Sequence, residues 1–265
     1  MKEHDFLGIA GDSSLERRNI FLYSFDSVDS TNSLARRMIL SGEAKAPALF
    51  VADGQTGGRG RMGRSFYSPS DTGIYMTLVF DVTDDMSASV MRMTSAVSVA
   101  VTDAIERVTG RSVGIKWVND LYLDGKKICG ILAESFFSGE RRYAAVGVGI
   151  NLSTKDFPEE LTGIAGSLTD DGESPFRREL TLAVCCEIFD IYEKIKQGDL
   201  SYMEEYRRRS IVLGKRVDLT VDGVTRSGVA VFVDDEGALC VRCDDGRERK
   251  LCSGEISLRI SEVER

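Results

Sequence analysis

The chain of 265 residues has a net charge of −8, with 42% hydrophobic and 29% charged residues. This length allows one sizeable core and a small second domain. The acidic balance argues against broad affinity for nucleic acid, which requires clustered lysine and arginine, and no apolar run approaches the roughly 20 residues that span a bilayer. We therefore expect a soluble protein that partners neither nucleic acid nor a membrane.

The N-terminal residues and the cysteines both indicate a cytoplasmic protein. Residues 1–11 mix charged and apolar side chains and lack the regions of a secretory signal. The six cysteines are sparse for this length, and the adjacent Cys185 and Cys186 suit free thiols in a reducing compartment. Cys240 and Cys243 form a C-x-x-C, but in a strand their side chains point to opposite faces, so we do not expect zinc there.

Histidine chemistry is excluded almost entirely. The only histidine is His4, close to the N terminus, so a Ser-His-Asp or Cys-His mechanism is not expected. The chemistry must therefore depend on lysine, arginine, aspartate, asparagine or a bound metal.

Hydrophobic periodicity predicts the elements in chain order. A first helix begins near Ser30, where side chains can accept from free backbone N–H groups, and ends at Gly42. Apolar residues at every third or fourth position predict a long helix from Met86 to Val108 and another over 180–195, followed by a polar helix over 202–209. Strands are expected at residues 47–51, 74–80, 113–118, 127–137 and 143–152.

The pattern changes after Gly214 to short β-rich runs separated by tight turns. The expected turns are Asp222-Gly223, residues 234–237 and Asp245-Gly246. We interpret this part as a small β-barrel and divide the chain into a catalytic domain, residues 1–211, and a barrel domain, residues 212–265. The expected fold class is α+β, with a mixed, largely antiparallel sheet flanked by helices.

A glycine-rich loop covers residues 53–70 and contains the run Gly57-Gly58-Arg59-Gly60-Arg61-Met62-Gly63-Arg64. Its glycines formally match the dinucleotide-binding fingerprint, but Pro69 and a strand follow where that motif requires a helix. A flexible surface loop is the ordinary alternative. Arginines spaced between glycines favour instead a mobile cationic loop that folds over an anion and excludes water.

A second group of polar residues follows a predicted strand, in the run Lys116-Trp117-Val118-Asn119-Asp120-Leu121-Tyr122. Polar groups at strand ends commonly form sites. A hairpin turn then delivers Lys127 at the start of an apolar strand, although a plain turn lysine is the alternative. Asn151 ends the next strand, where Gly147 and Gly149 permit a ligand to approach the backbone closely.

These segments resemble the biotin-protein ligase family, in the same order and spacing, from about Ser30 to the C terminus. The family's pattern appears in the runs Ser30-Thr31-Asn32, Gln55-Thr56-Gly57-Gly58-Arg59-Gly60-Arg61, Lys116-Trp117-Val118-Asn119-Asp120, Lys127-Ile128-Cys129-Gly130 and Gly149-Ile150-Asn151. The resemblance implies a catalytic domain like that of class II aminoacyl-tRNA synthetases and a C-terminal barrel of the Src-homology-3 type. Because only about 20 residues precede Phe21, we expect a form without the family's N-terminal DNA-binding domain.

The resemblance also implies roles for individual residues. Biotin is expected to contact Ser30, Thr31, Asn32, Gln55, Arg59, Gly60, Arg61, Lys127 and Gly130. ATP and the adenylate are expected to contact Arg61, Arg64, Phe66, Lys116, Trp117, Asn119, Asp120, Lys127 and Asn151. The implied catalytic residues are Arg61, Lys127 and Asp120, and Mg²⁺ is expected near Asp120 and Asn151 without a certain set of ligands. Two positions depart from the family, because Val118 replaces the usual proline and Phe66 a frequent tryptophan.

The implied reaction has two steps. Biotin and ATP first give biotinyl-5'-adenylate and pyrophosphate, and a lysine of a biotin carboxyl carrier protein domain then attacks the adenylate. We expect Asp120 to orient that lysine. The alternatives are a lipoate or octanoate ligase on the same fold, or a non-catalytic biotin sensor, and the sequence leaves a monomer and a homodimer both open.

Overall fold

The computed structural model describes residues 4–82, 89–169, 176–221, 224–252 and 259–260. The helices are α1 (Ser13–Glu16), α2 (Thr31–Ser41), α3 (Val90–Thr109), α4 (Arg177–Lys196) and α5 (Tyr202–Arg209). The first seven strands are β1 (Phe21–Val28), β2 (Ala48–Gln55), β3 (Gly73–Val82), β4 (Gly114–Lys116), β5 (Asp120–Leu123), β6 (Lys126–Ser138) and β7 (Arg141–Asn151). The last five are β8 (Arg216–Val221), β9 (Val224–Val233), β10 (Leu239–Cys243), β11 (Glu248–Leu251) and β12 (Arg259–Ile260).

The first seven strands form one sheet in the order β1-β2-β3-β7-β6-β5-β4. Only β1 and β2 run parallel, and α2 connects them, because a parallel pair requires a long crossover. The remaining neighbours are antiparallel. The expected mixed, largely antiparallel sheet flanked by helices is therefore confirmed.

Helices cover both faces of this sheet. Along β2 and β3, every second residue packs with α2, and the residues between them pack with α3 and α4 on the opposite face. This follows from the alternation of side chains along a strand. Helix α2 ends at Gly42, whose positive φ of 77° suits glycine. The site described below lies on the α2 face, beyond the N-terminal end of that helix.

The start of α2 differs from the expectation that its own first side chains accept the free N–H groups. Ser30 occupies the N-cap position without a side-chain cap bond. The N–H of Thr31 donates instead to Oε1 of Gln55, at 2.9 Å, from the end of β2. The adjacent parallel strand therefore caps the helix.

The C-terminal strands form a second sheet in the order β11-β10-β9-β8-β12. Across the ranges that the structure describes, β11 and β12 do not pair, so the expected barrel is an open five-stranded sheet. Gly237 and Gly246, with φ of 84° and 80°, confirm two of the expected turns, while Asp222-Gly223 lies outside the described residues. The division of the chain after residue 211 stays a prediction.

Two further expectations concern α3 and the cysteines. The helix expected from Met86 begins at Val90, capped by the Ser89 side chain, and residue 86 itself lies outside the described ranges. All six cysteines are free thiols. No helix among the described residues is long and apolar enough to cross a membrane.

Candidate active site

The floor of the site is a patch of the seven-stranded sheet without large side chains at its centre. One row of paired residues crosses the sheet from β3 to β4 and consists of Tyr75, Gly149, Gly130, Asp120 and Lys116. A second row, two residues further along the strands, consists of Thr77, Gly147 and Leu132. The glycines let the side chains that line the site lie close to the sheet, and the cavity among them has a volume of about 410 Å³.

Side chains of the chain itself lie directly on the glycines of β7 and β6. A Cβ atom on Gly147 would collide with the amide of Asn32, with Cγ only 2.9 Å away. A Cβ atom on Gly149 would lie 2.6 Å from Cε1 of Phe66, and one on Gly130 would lie 3.2 Å from the same ring. The close approach to the backbone that was expected of a ligand is therefore made here by Asn32 and Phe66.

Hydrogen-bonded neutral side chains form one end of the cavity, which we call the neutral end. Oε1 of Gln55 lies 3.2 Å from the hydroxyl oxygen of Thr31, and Nε2 of Gln55 donates to Oγ of Ser68 at 2.9 Å. The fully buried Thr77 donates to Oδ1 of Asn32 at 2.6 Å, and its hydroxyl lies 2.9 Å from that of Thr31. These neutral groups are hydrogen-bonded at fixed positions, so they can recognise a compact ligand that has both donors and acceptors.

The arginine-glycine loop closes on itself as a small hairpin. Phe66 N donates to Gly58 O at 2.8 Å, and Gly60 N donates to Arg64 O at 2.7 Å. The side chain of Arg59 then reaches Glu134 of β6 through two hydrogen bonds of 2.9 and 3.2 Å. The loop is therefore tied to the sheet by contacts within the chain.

Positive side chains form the other end of the cavity. Lys127 Nζ lies 2.7 Å from Asp120 Oδ1, and Arg61 donates to Asn119 Oδ1 at 3.1 Å. Lys116 lies over the Tyr122 ring, 5.1 Å from its centroid. Arg64 lines the same space.

Burial changes the acidity of this cationic end. It lowers the pKa of Arg61 and of Lys116 below their ordinary values, and it raises the pKa of Tyr122 to about 12, with a further contribution from the charge of Asp120. Burial of a cation is unfavourable, and a bound anion relieves that cost. The cationic end is therefore suited to phosphates.

The turn between β4 and β5 carries two of the expected site residues. Trp117 donates from Nε1 to Gly237 O of the C-terminal sheet at 2.8 Å, and its peptide bond to Val118 is cis. Asn119 donates to Ile131 O at 2.8 Å while it accepts from Arg61. The turn is thus held by the second sheet on one side and by β6 on the other.

Asn151 is the one expected site residue that does not line the cavity. Its Nδ2 donates to Gly166 O at 3.1 Å, which holds the segment after β7 next to Lys127. Lys127 N in turn donates to Ile164 O at 2.9 Å. Leu161 and Ile164 of that segment line the cavity and give it apolar contacts.

Several residues of the site were not identified from the sequence. They are Ser68, Thr77, Tyr122, Glu134, Leu161 and Ile164. A polar residue inside an apolar strand, as at Thr77 and Glu134, was the available signal. All the other expected site residues line the one cavity.

The donor set allows only a limited role for a metal. Among the described residues no group of three or more His, Cys, Asp or Glu side chains comes together. Asp120 is the carboxylate in the cavity, and it is paired with Lys127. This arrangement fits Mg²⁺ that arrives with ATP, because that ion keeps several waters and is bound largely by phosphate oxygens.

Comparisons with known proteins identify the family. Residues 24–151 match the biotin/lipoate A/B protein ligase family, and residues 212–259 match the biotin protein ligase C-terminal domain. These two matches, in this order along the chain, define the class as a protein ligase of the biotin and lipoate type.

Individual relatives narrow the class. The bifunctional ligase/repressor BirA of Bacillus subtilis is 32% identical over 241 residues, which cover 88% of this chain and 72% of the relative. The biotin--[acetyl-CoA-carboxylase] ligase of Mycobacterium tuberculosis is 29% identical, with 86% of this chain and 85% of the relative covered. The biotin protein ligase of Aquifex aeolicus, solved with biotin and ATP, superposes with a TM-score of 0.77 at 28% identity over 91% of this chain and 99% of that one. The chain belongs to the biotin protein ligase family.

Proposed function

We propose that the chain uses ATP to activate biotin as biotinyl-5'-adenylate and transfers the biotin to a lysine of a biotin carboxyl carrier protein domain. The chain is a biotin ligase, and ATP is its co-substrate. The single observation that carries the residue assignment is the arrangement of one continuous cavity. Its neutral end offers donors and acceptors from Thr31, Asn32 and Gln55, and its other end offers Arg61, Lys116 and Lys127.

The first step joins two anions, the biotin carboxylate and the α-phosphate of ATP. In this proposal the ring of biotin occupies the neutral end, so its carboxylate points toward the cationic end. Arg61, Arg64, Lys116 and Lys127 reduce the repulsion and stabilise the charge that moves to pyrophosphate. The residues act by position and charge, as in other phosphoryl chemistry.

The second step requires an uncharged lysine amine, although a free lysine is almost entirely protonated at neutral pH. Asp120 is the proposed orienting group, and it lies at the start of β5 with its carboxylate 2.7 Å from Lys127. The arginine-glycine loop and the segment with Leu161 and Ile164 exclude water from the mixed anhydride.

Asp120→Asn tests the second step separately. The variant keeps the shape of the side chain but loses the charge, and we expect transfer from supplied biotinyl-5'-adenylate to slow by about a hundredfold. The measurement is a single-turnover transfer to a carrier domain. A wild-type transfer rate would remove this role from Asp120.

Further partners remain proposals. Mg²⁺ is proposed to arrive with ATP at the Asp120 end, where it would screen the phosphates. The cytoplasmic location is supported by the six free thiols. A homodimer and the absence of nucleic-acid and membrane partners stay predictions.

The activity is tested by pyrophosphate release with ATP and Mg²⁺. We expect release with biotin and none with lipoic or octanoic acid, and we expect a carrier domain to be labelled only when biotin and ATP are both present. Release with lipoic acid alone would make the chain a lipoate ligase. Binding of biotin without release would make it a sensor.

A further inference from the structure

Glu134 lies behind the wall of the active-site cavity and contacts two residues that line it. The side chain extends from β6 on the same face as Gly130 and Leu132, because residues two apart share a face of the sheet. Its carboxylate accepts two hydrogen bonds from Arg59 and one of 3.0 Å from Nδ2 of Asn32. Glu134 itself does not line the cavity.

The carboxylate determines which way the Asn32 amide points. An ionised carboxylate only accepts, so the NH₂ group of Asn32 must face Glu134, and its second N–H faces Leu132 O at 3.2 Å. The amide oxygen is therefore left for Thr77, which donates to it at 2.6 Å. Thr77 has a single proton, so its oxygen accepts from the Thr31 hydroxyl. The negative charge of Glu134 thus determines which groups donate and which accept in the hydrogen bonds from Asn32 through Thr77 to Thr31.

The same carboxylate ties the arginine-glycine loop to the sheet. Arg59 and Glu134 are 75 residues apart and form a two-point ion pair, a geometry that fixes orientation as well as distance. The pair also neutralises Arg59, and Asp120 pairs with Lys127, so the positive field of the cavity is concentrated toward Arg61 and Lys116.

We propose that Glu134 is a positioning residue for biotin binding: it orients the Asn32 amide and holds Arg59 before the ligand arrives. This role rests on the proposed function, because it concerns the end of the cavity assigned to the biotin ring. Glu134 acts through Asn32 and Arg59 and takes no part in the reaction at phosphorus.

The test compares Glu134→Ala with Glu187→Ala. Glu187 forms an ion pair with Arg107 at 2.8 Å and is 30% exposed, against 31% for Glu134, but it lies on α4 away from the cavity. The measurements are biotin binding by titration calorimetry without ATP, and KM for biotin and for ATP in pyrophosphate release. We expect Glu134→Ala to raise Kd and KM for biotin about tenfold, the loss expected for one hydrogen bond to a charged group, with KM for ATP within twofold of the Glu187→Ala value.

Two conservative variants distinguish positioning from a loss of folding. Glu134→Gln keeps the size of the side chain but can present an NH₂ group to Asn32, so we expect weaker biotin binding with a smaller fall in melting temperature than in Glu134→Ala. Glu134→Asp keeps the charge, and we expect it to recover part of the affinity.

Three results would overturn the proposal. They are a biotin Kd equal to that of Glu187→Ala, an equal rise in both KM values, or wild-type affinity in Glu134→Gln. Failure of the proposed function is a separate outcome, since the wild-type chain would then release no pyrophosphate with biotin.

Discussion

Gly147→Ala is the substitution that most directly tests the geometry of the neutral end. The added methyl group would occupy the position of the Asn32 amide, whose Cγ lies 2.9 Å from the ideal Cβ. That amide cannot move without cost, since it is buried and makes three hydrogen bonds, to Leu132 O, to Glu134 and from Thr77.

The magnitude follows from those three bonds. A neutral hydrogen bond contributes about 1 kcal/mol and one to a charged group about 1.5–3 kcal/mol, so displacement of the amide costs roughly 3–5 kcal/mol if nothing replaces them. Water in the adjoining cavity recovers part of this loss, and we expect about 3 kcal/mol. For a chain of this size that corresponds to a fall in melting temperature of about 6–12 °C.

The assay combines thermal unfolding with the KM for biotin, which we expect to rise at least tenfold as the amide leaves its position. The control is the double variant Gly147→Ala with Asn32→Ala. Removal of the amide removes the collision, so the double variant should be no less stable than Asn32→Ala alone. A wild-type melting temperature and biotin KM in Gly147→Ala, or additive losses in the double variant, would refute this reasoning.

Three other perturbations have defined outcomes. Trp117→Phe removes the hydrogen bond to Gly237 O. We expect the free energy of unfolding to fall by about 1 kcal/mol and the KM for ATP to rise. If both values stayed unchanged, the bond would not position the turn between β4 and β5. Burial lowers the pKa of Lys116, so its charge is lost as pH rises through a value below the ordinary 10.5, and KM for ATP should rise there in the wild type but not in Lys116→Met. In the same interval the unfolded chain binds more protons, so the ligand-free protein should gain stability as pH rises, and a gain that persists in Lys116→Met would contradict this assignment. Arg61→Gly should release the adenylate early, so that unrelated lysines become labelled, which is measured as biotin on bystander proteins. Labelling of the carrier domain alone would show that the arginine-glycine loop does not retain the adenylate.

The elements with strong local patterns were predictable from the sequence. Helix α2 has apolar residues at helical spacing and a glycine at its end, and α3 has a long apolar repeat, so the local pattern was sufficient to place both helices, although not to find the cap of α2. Strand β1 was missed because its partner β2 follows only after the intervening helix, and β5 was missed because it is four residues long. Periodicity carries little information about such strands.

The site divides in the same way. The residues of the motifs could be predicted because each run has the residue types and the spacing of the family's pattern. The partner of Arg59 could not be predicted, since Glu134 lies 75 residues away. That contact depends on the register of β6 against β7 and of β7 against β3, and a slip of one residue would turn Glu134 to the opposite face. Register of this kind comes from the packing of the whole sheet.

The turn of the long β6–β7 hairpin is a site for attaching a label far from the active-site cavity. Its turn, at Gly139, is nine residues beyond Gly130, which at about 3.3 Å per residue is a separation of roughly 30 Å. A fluorophore or an affinity peptide inserted between Gly139 and Glu140 would therefore lie at one end of the same sheet strands whose other end forms the floor of the cavity. Such a label would immobilise the ligase on a surface and leave the cavity open to carrier domains.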